Sequence, residues 1–254
     1  MLQRSGEDVT AVARPASAER LARDGLTVID PTGTHHTTPA VAAVPANGSA
    51  VIVAAKAFAL PNLLPAIAAA EPSEVLFLQN GVAHLPLVHA ALPNCDRVAC
   101  GAIKIVATRG EDGIIRQPFP MRLVEVPDVA AEWEITRALT AAGVETTVAG
   151  TESQVLWRKF RFLSALALAT SWRDAPIGAA MDAEPGVIEA MASRPTMTST
   201  CDSSNQLRRW PRRPSSGRRR RSTSGAHRNL KEYIMPALAI MVMSFNRMPS
   251  SLSQ

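Results

Sequence analysis

The chain has 254 residues, enough for one large domain or two smaller ones around a buried core. Its net charge of +5 is unevenly placed: residues 193–254 hold twelve of the 27 basic residues and two of the 22 acidic ones, which leaves +10 there and −5 in residues 1–192. Three cysteines and five scattered histidines without metal-ligand spacing argue against a disulfide framework or a metal motif and fit a reduced, cytoplasmic compartment.

Residues 8–14 read as a strand, and Ser17 is expected to cap a short helix that carries Leu21 and ends at Gly25. A second strand covers residues 26–29, followed by a Pro/Thr/Gly-rich loop over residues 30–47. Val51-Ile52-Val53-Ala54-Ala55-Lys56 is an apolar run that stops on a lysine, and residues 60–70 have helical spacing. Val75-Leu76-Phe77-Leu78 is a second such run, closing on Gln79-Asn80-Gly81 ahead of a helix over residues 84–92. Residues 97–108 are β-rich, residues 110–113 signal a turn, and residues 114–116 and 122–126 add strands. Residues 130–142 are helical with Gly143 as C-cap, and residues 151–192 turn helical, most densely over residues 156–170. The late apolar stretch 234–245 is too short to span a bilayer and contains Pro236, and the first residues lack an apolar signal core, so no membrane segment is read.

Strands alternating with helices up to about residue 110 predict a parallel α/β layer architecture with a boundary near Gly150. In an open parallel sheet, ligands sit beyond the carboxyl ends of the strands. Lys56 and Asn80, at the ends of neighbouring strands, are therefore candidate floor residues of a cofactor site. Lys159 in Trp157-Arg158-Lys159 is by default a solvated helix lysine, and Trp157 beside it a packing anchor. Cys95 and Cys100 read as ordinary thiols. His84 and His89, five apart, are off the spacing of a zinc pair on a helix.

Five ordered blocks resemble the ketopantoate reductase family, the 2-oxo acid reductases of pantothenate synthesis. They are Gly6-x-x-Val9-x-x-x-x-Arg14, Gly25-Leu26-x-Val28, Val51-x-Val53-x-x-Lys56-Ala57, Leu78-Gln79-Asn80-Gly81-Val82 and Leu156-Trp157-x-Lys159-Phe160. The resemblance implies a Rossmann-like NADP-binding domain over residues 1–150 and the start of an all-α domain over residues 151–192, with the active site between them. It implies hydride transfer from NADPH to a small-molecule 2-oxo acid. It assigns Arg14 to the 2′-phosphate of NADPH, Lys56 and Asn80 to cofactor contacts with Asn80 also on substrate, the backbone at Val106 to the nicotinamide, and Lys159 to substrate binding and catalysis. A homodimer is compatible with it.

The chain departs from the family in three ways. It has no Gly-x-Gly-x-x-Gly loop, so the expected sheet is a doubly wound one lacking its first, central strand, with the inner edges of two strands left unpaired. Leu163 and Ala167 stand where the family carries asparagines after the lysine, which bears on substrate range. Residues 193–254 contain no match to the family's late Ser and Glu. That tail, with eight arginines between Arg208 and Arg221, reads as solvated disorder, as a nucleic-acid-binding arm on a non-catalytic protein, or, best, as translation in a shifted frame with impaired activity.

Overall fold

A computed structural model describes residues 1–183, Gly186 and residues 242–245. In chain order it contains β1 (Val9–Val12), α1 (Pro15–Asp24), β2 (Leu26–Asp30), β3 (Gly33–Thr37), β4 (Ala40–Ala42), β5 (Ala50–Val53), α2 (Leu60–Ala69), β6 (Glu74–Phe77) and α3 (Leu85–Ala91). There follow β7 (Val98–Cys100), β8 (Ala102–Ile105), β9 (Thr108–Arg109), β10 (Ile115–Arg116), β11 (Arg122–Val126), α4 (Glu134–Ala141), β12 (Glu145–Val148), α5 (Glu152–Arg173), α6 (Ile177–Ala183) and β13 (Val242–Phe245).

The main sheet has six strands in the order β4-β1-β13-β5-β6-β7. β4 runs parallel to β1, and β5, β6 and β7 are mutually parallel. β5 and residues 75–77 of β6 are apolar runs because both faces of a parallel sheet are covered. Val51, Val53 and Phe77 pack with Leu60, Leu64 and Ile67 of α2, Val88 of α3 and Leu156 of α5. The alternate residues Ala50, Ile52 and Leu76 pack with Val124 and Val126 of β11 and Ile135 and Leu139 of α4. This two-sided burial is the doubly wound arrangement expected from the strand and helix alternation. Two smaller sheets, β3-β2-β10-β9 and β12-β11-β8, complete the layer.

The expectation of unpaired inner edges is corrected. β13 lies antiparallel to both β1 and β5, with Met243 opposite Ala11 on one side and Ile52 on the other. It occupies the central position of the sheet, so the backbone groups of β1 and β5 find partners there. The remainder of the 193–254 tail, including the arginine cluster, lies outside the described residues.

Other boundaries shift for local reasons. Arg14, not Ser17, is the N-cap of α1, because Pro15 occupies the first helical position, where a missing N–H is harmless. The 30–47 loop contains β3, paired antiparallel with β2, and β4. Its Thr-His-His-Thr text lacks the apolar alternation that marks a strand. The 130–142 helix is a single 3-10 turn, Asp128–Ala130, followed by α4. The β-rich stretch 97–108 divides at Gly101, where a Cβ would come within 2.8 Å of the Glu125 carbonyl oxygen. α5 opens with a reciprocal Thr151–Gln154 capping box and packs against β7, β8 and β11. No helix among the described residues is long and apolar enough to cross a membrane.

Candidate active site

Because β1, β5, β6 and β7 run the same way, their carboxyl ends share one edge. At the end of β1 stands Arg14, exposed, its carbonyl accepting the first bonds of α1. β5 ends three residues before Lys56, which is half-buried and starts a 3-10 turn over Ala57–Ala59. β6 ends three residues before Asn80. Val53 is level with Phe77 in the ladder, so Lys56 and Asn80 leave the edge side by side.

Gln79 is buried and fixes this edge: its Nε2 donates to the Val53 carbonyl at 2.8 Å, and the Leu78 N–H donates to the same oxygen at 2.9 Å. The clamp turns Asn80 outward, where it is exposed ahead of Gly81 with φ of +94°. Val106 is half-buried and lies one residue past the end of β8.

Lys159 comes from α5. Val155, Leu156 and Lys159 form one buried stripe of that helix, with Leu156 seated in the core below. Contrary to the default for a helix lysine, Lys159 is only 7% exposed, and its Nζ has no hydrogen-bond partner among the described residues. Burial first, and then the Lys104 ammonium, push its pKa down to about 8, with Glu125 opposing them.

His84, at the head of α3 and four residues past Asn80, feels the same amine. It is buried, both ring nitrogens lack hydrogen-bond partners among the described residues, and its pKa is lowered by burial and next by Lys159. The charge on α5 at Lys159 is thus felt at His84, at the head of the helix that follows Asn80. Glu152 helps hold them: it accepts from the Cys100 N–H at 2.7 Å and pairs with His89 Nε2 at 3.0 Å, tying the first turn of α5 to β7 and α3. Burial pushes both the Cys95 and Cys100 thiols up, so they stay protonated.

Sequence reading missed Lys104, Glu125, His84 and Glu152 as members of this cluster. Lys104 donates to Glu125 Oε1 at 2.8 Å, and Arg158 lies 3.6 Å from the same oxygen. A signal was present, since Lys104 and Glu125 are each a charge flanked on both sides by apolar residues of a strand, Ile103-Lys104-Ile105 and Val124-Glu125-Val126. Arg14 stands apart: β1 is four strand positions from β7, roughly 19 Å along the edge at the usual strand spacing.

The chemistry open to this arrangement is limited. A buried amine whose pKa is lowered toward neutrality can hold an oxygen that gains negative charge and hand it a proton. Among the described residues no His/Cys/Asp/Glu group could hold a metal ion.

Residues 1–128 match the family described as ketopantoate reductase PanE/ApbA. Over 176 residues the chain is 28% identical to a 2-dehydropantoate 2-reductase of Halobacterium salinarum, a match covering 66% of this chain and 58% of that protein. The chain therefore spans less than two thirds of that relative. The fold is similar to the 2-dehydropantoate 2-reductase from Geobacter metallireducens GS-15, with TM-score 0.61 and 20% identity over 75% of this chain and 68% of that one. It is also similar to D-mandelate dehydrogenase, solved with NADH and anilino(oxo)acetate, with TM-score 0.60 and 17% identity over 76% and 74% of the two chains.

Proposed function

Because the chain belongs to the ketopantoate reductase PanE/ApbA family, we propose that it reduces the ketone of a 2-oxo acid to a hydroxyl with NADPH, in the manner of ketopantoate to pantoate. The observation that supports this reading is Lys159, a buried amine without a hydrogen-bond partner among the described residues, whose charge bears on His84, four residues past Asn80.

The residues of the edge fit a nicotinamide dinucleotide at its two ends. Arg14, exposed at the end of β1, is the group for a 2′-phosphate, and Lys56 and Asn80 are the groups for the cofactor at its other end, with Asn80 also on the substrate. Fit at the pyrophosphate is poorer, because the sequence has no Gly-x-Gly-x-x-Gly turn and β13 enters the edge in the reverse sense. When bound, the cofactor supplies the hydride.

The chain's own residues do the rest. Lys159 holds the carbonyl oxygen of the substrate in a site with little water, where a positive donor counts for more than in solution. As the carbonyl carbon is reduced, the oxygen becomes an alkoxide and takes the proton from the Lys159 ammonium. A donor with a pKa of about 8 is charged at neutral pH yet close enough to it to release its proton. Asn80, held outward by the Gln79 clamp, orients the substrate by hydrogen bonds from its amide. The family match gives no support to a non-catalytic nucleic-acid binder.

The test is NADPH oxidation by the purified chain at saturating NADPH, with and without ketopantoate, beside Lys159→Ala. Slow, ketopantoate-dependent oxidation that Lys159→Ala abolishes is expected. Oxidation indifferent to Lys159→Ala, or none at all, would overturn the reading.

A further inference from the structure

Glu125 is a buried carboxylate set among cations, and its arrangement has no structural necessity. In the β8–β11 ladder Lys104 faces Leu123 and Glu125 faces Ala102, so the two charges are diagonal neighbours on one face of the small sheet. α5 lies across that face and brings Arg158 to 3.6 Å from Glu125 Oε1, one residue before Lys159. Lys104 takes the same oxygen at 2.8 Å, while Glu125 Oε2 is buried without a hydrogen-bond partner. One residue along α5 from Arg158, the Lys159 amine is also buried and also lacks a hydrogen-bond partner among the described residues.

Burying a charge without a hydrogen-bonded partner is costly, and apolar residues of similar size would fill such a space at less expense. Two buried polar atoms without hydrogen-bond partners among the described residues therefore call for a reason outside stability. Among the described residues, Glu125 is the acid whose charge bears on the amine. The groups around Lys159 include Arg158 and Arg161 on its own helix, Lys104 from β8, Glu125 from β11 and His84 at the head of α3, with Glu152 beyond His84.

We propose that Glu125 is a positioning residue that holds the Lys159 amine in its charged, proton-donating form, with Lys104 as the opposing charge that keeps that proton releasable. The proposal rests on Lys159 as proton donor in 2-oxo acid reduction. Its physical core is separate from turnover: two side chains that never touch substrate set the charge of a third, in opposite directions. Glu125→Gln strips the counter-charge and leaves the amine beside two cations, which makes it more acidic. Lys104→Met removes a like charge and makes it less acidic.

The chain has four lysines, Lys56, Lys104, Lys159 and Lys231, so the full chain labelled with ¹³Cε-lysine gives four signals that single substitutions assign. The wild-type Lys159 signal is expected to titrate near pH 8. The proposal predicts that Glu125→Gln moves that midpoint down and Lys104→Met moves it up, each by about tenfold in proton affinity. The pH profile of kcat/KM for ketopantoate should move the same way in each variant. Shifts in one common direction, or none in either, overturn the proposal, and Lys104→Met decides alone if Glu125→Gln does not fold. Opposite shifts of the amine without ketopantoate-dependent turnover would sink the reductase reading and leave the charge arrangement standing.

Discussion

Replacing Met243 with proline attacks the sheet at its centre. Met243 sits between Ala11 of β1 and Ile52 of β5, which are 0% and 5% exposed. In an inner strand every N–H donates to one neighbour or the other, so proline removes a ladder donor and leaves a buried carbonyl unpaired. An unsatisfied buried acceptor costs roughly 1–3 kcal/mol, and the pyrrolidine ring adds crowding against the neighbouring strand, so a loss of about 3 kcal/mol is reasonable. At about 2–4 °C per kcal/mol for a chain of this size, Tm should fall by roughly 6–12 °C. The assay is thermal unfolding followed by circular dichroism, with Met243→Val, a good strand former that keeps the ladder donor, as a control that should lose less than the proline variant. Amide exchange at Ala11 and Ile52 should quicken in the proline variant alone. Equal Tm values for the proline variant and the wild type would mean that residues 242–245 do not hold the sheet together, and the account of its centre would be wrong.

Three further outcomes are expected. Glu74 is 1% exposed, and its carboxylate accepts from the Ile135 and Glu134 N–H groups at 2.5 and 3.2 Å, capping α4 from the neighbouring strand. Glu74→Ala should therefore lose about 3 kcal/mol in urea unfolding, and a loss under about 0.5 kcal/mol would contradict the cap. Arg14→Ala should weaken NADPH by tenfold or more, at about 1.5–3 kcal/mol for charged hydrogen bonds, while sparing NADH. Equal losses for both cofactors would remove that role. Lys159→Met should stabilise the fold by roughly 3 kcal/mol at neutral pH, since the lysine's pKa is about 8 in the fold against 10.5 outside it. Between those values the unfolded chain holds more protons, so wild-type stability rises with pH there and the gap to Lys159→Met closes. A gap that is constant to high pH would refute the buried charge.

β5 and β6 were legible because strands covered on both faces carry apolar runs, here residues 51–55 and 75–78, and their polar stops, Lys56 and Asn80, announced the edge. β3 and β4 were not, since Thr-His-His-Thr forms a hairpin strand only through its pairing with β2. β13 was hidden for another reason. Met243, Ser244 and Phe245 carry ordinary β-compatible chemistry, but nothing local names partners as distant in sequence as Ala11 and Ile52. In the site, the spacing of Val155, Leu156 and Lys159 contains the stripe that buries the lysine, whereas residue type alone favours a solvated one. Glu125 and Lys104 were visible only as charges flanked on both sides by apolar residues of a strand. Their meeting depends on the β8–β11 register and on α5 crossing that face, both tertiary facts.

The most direct test of the account is the pH dependence of kcat for ketopantoate reduction by the wild-type chain. A donor that must be charged to act predicts a rate that holds through neutral pH and falls as the pH rises through about 8. A rate that is level across that range, or that climbs, would contradict Lys159 as the source of the proton.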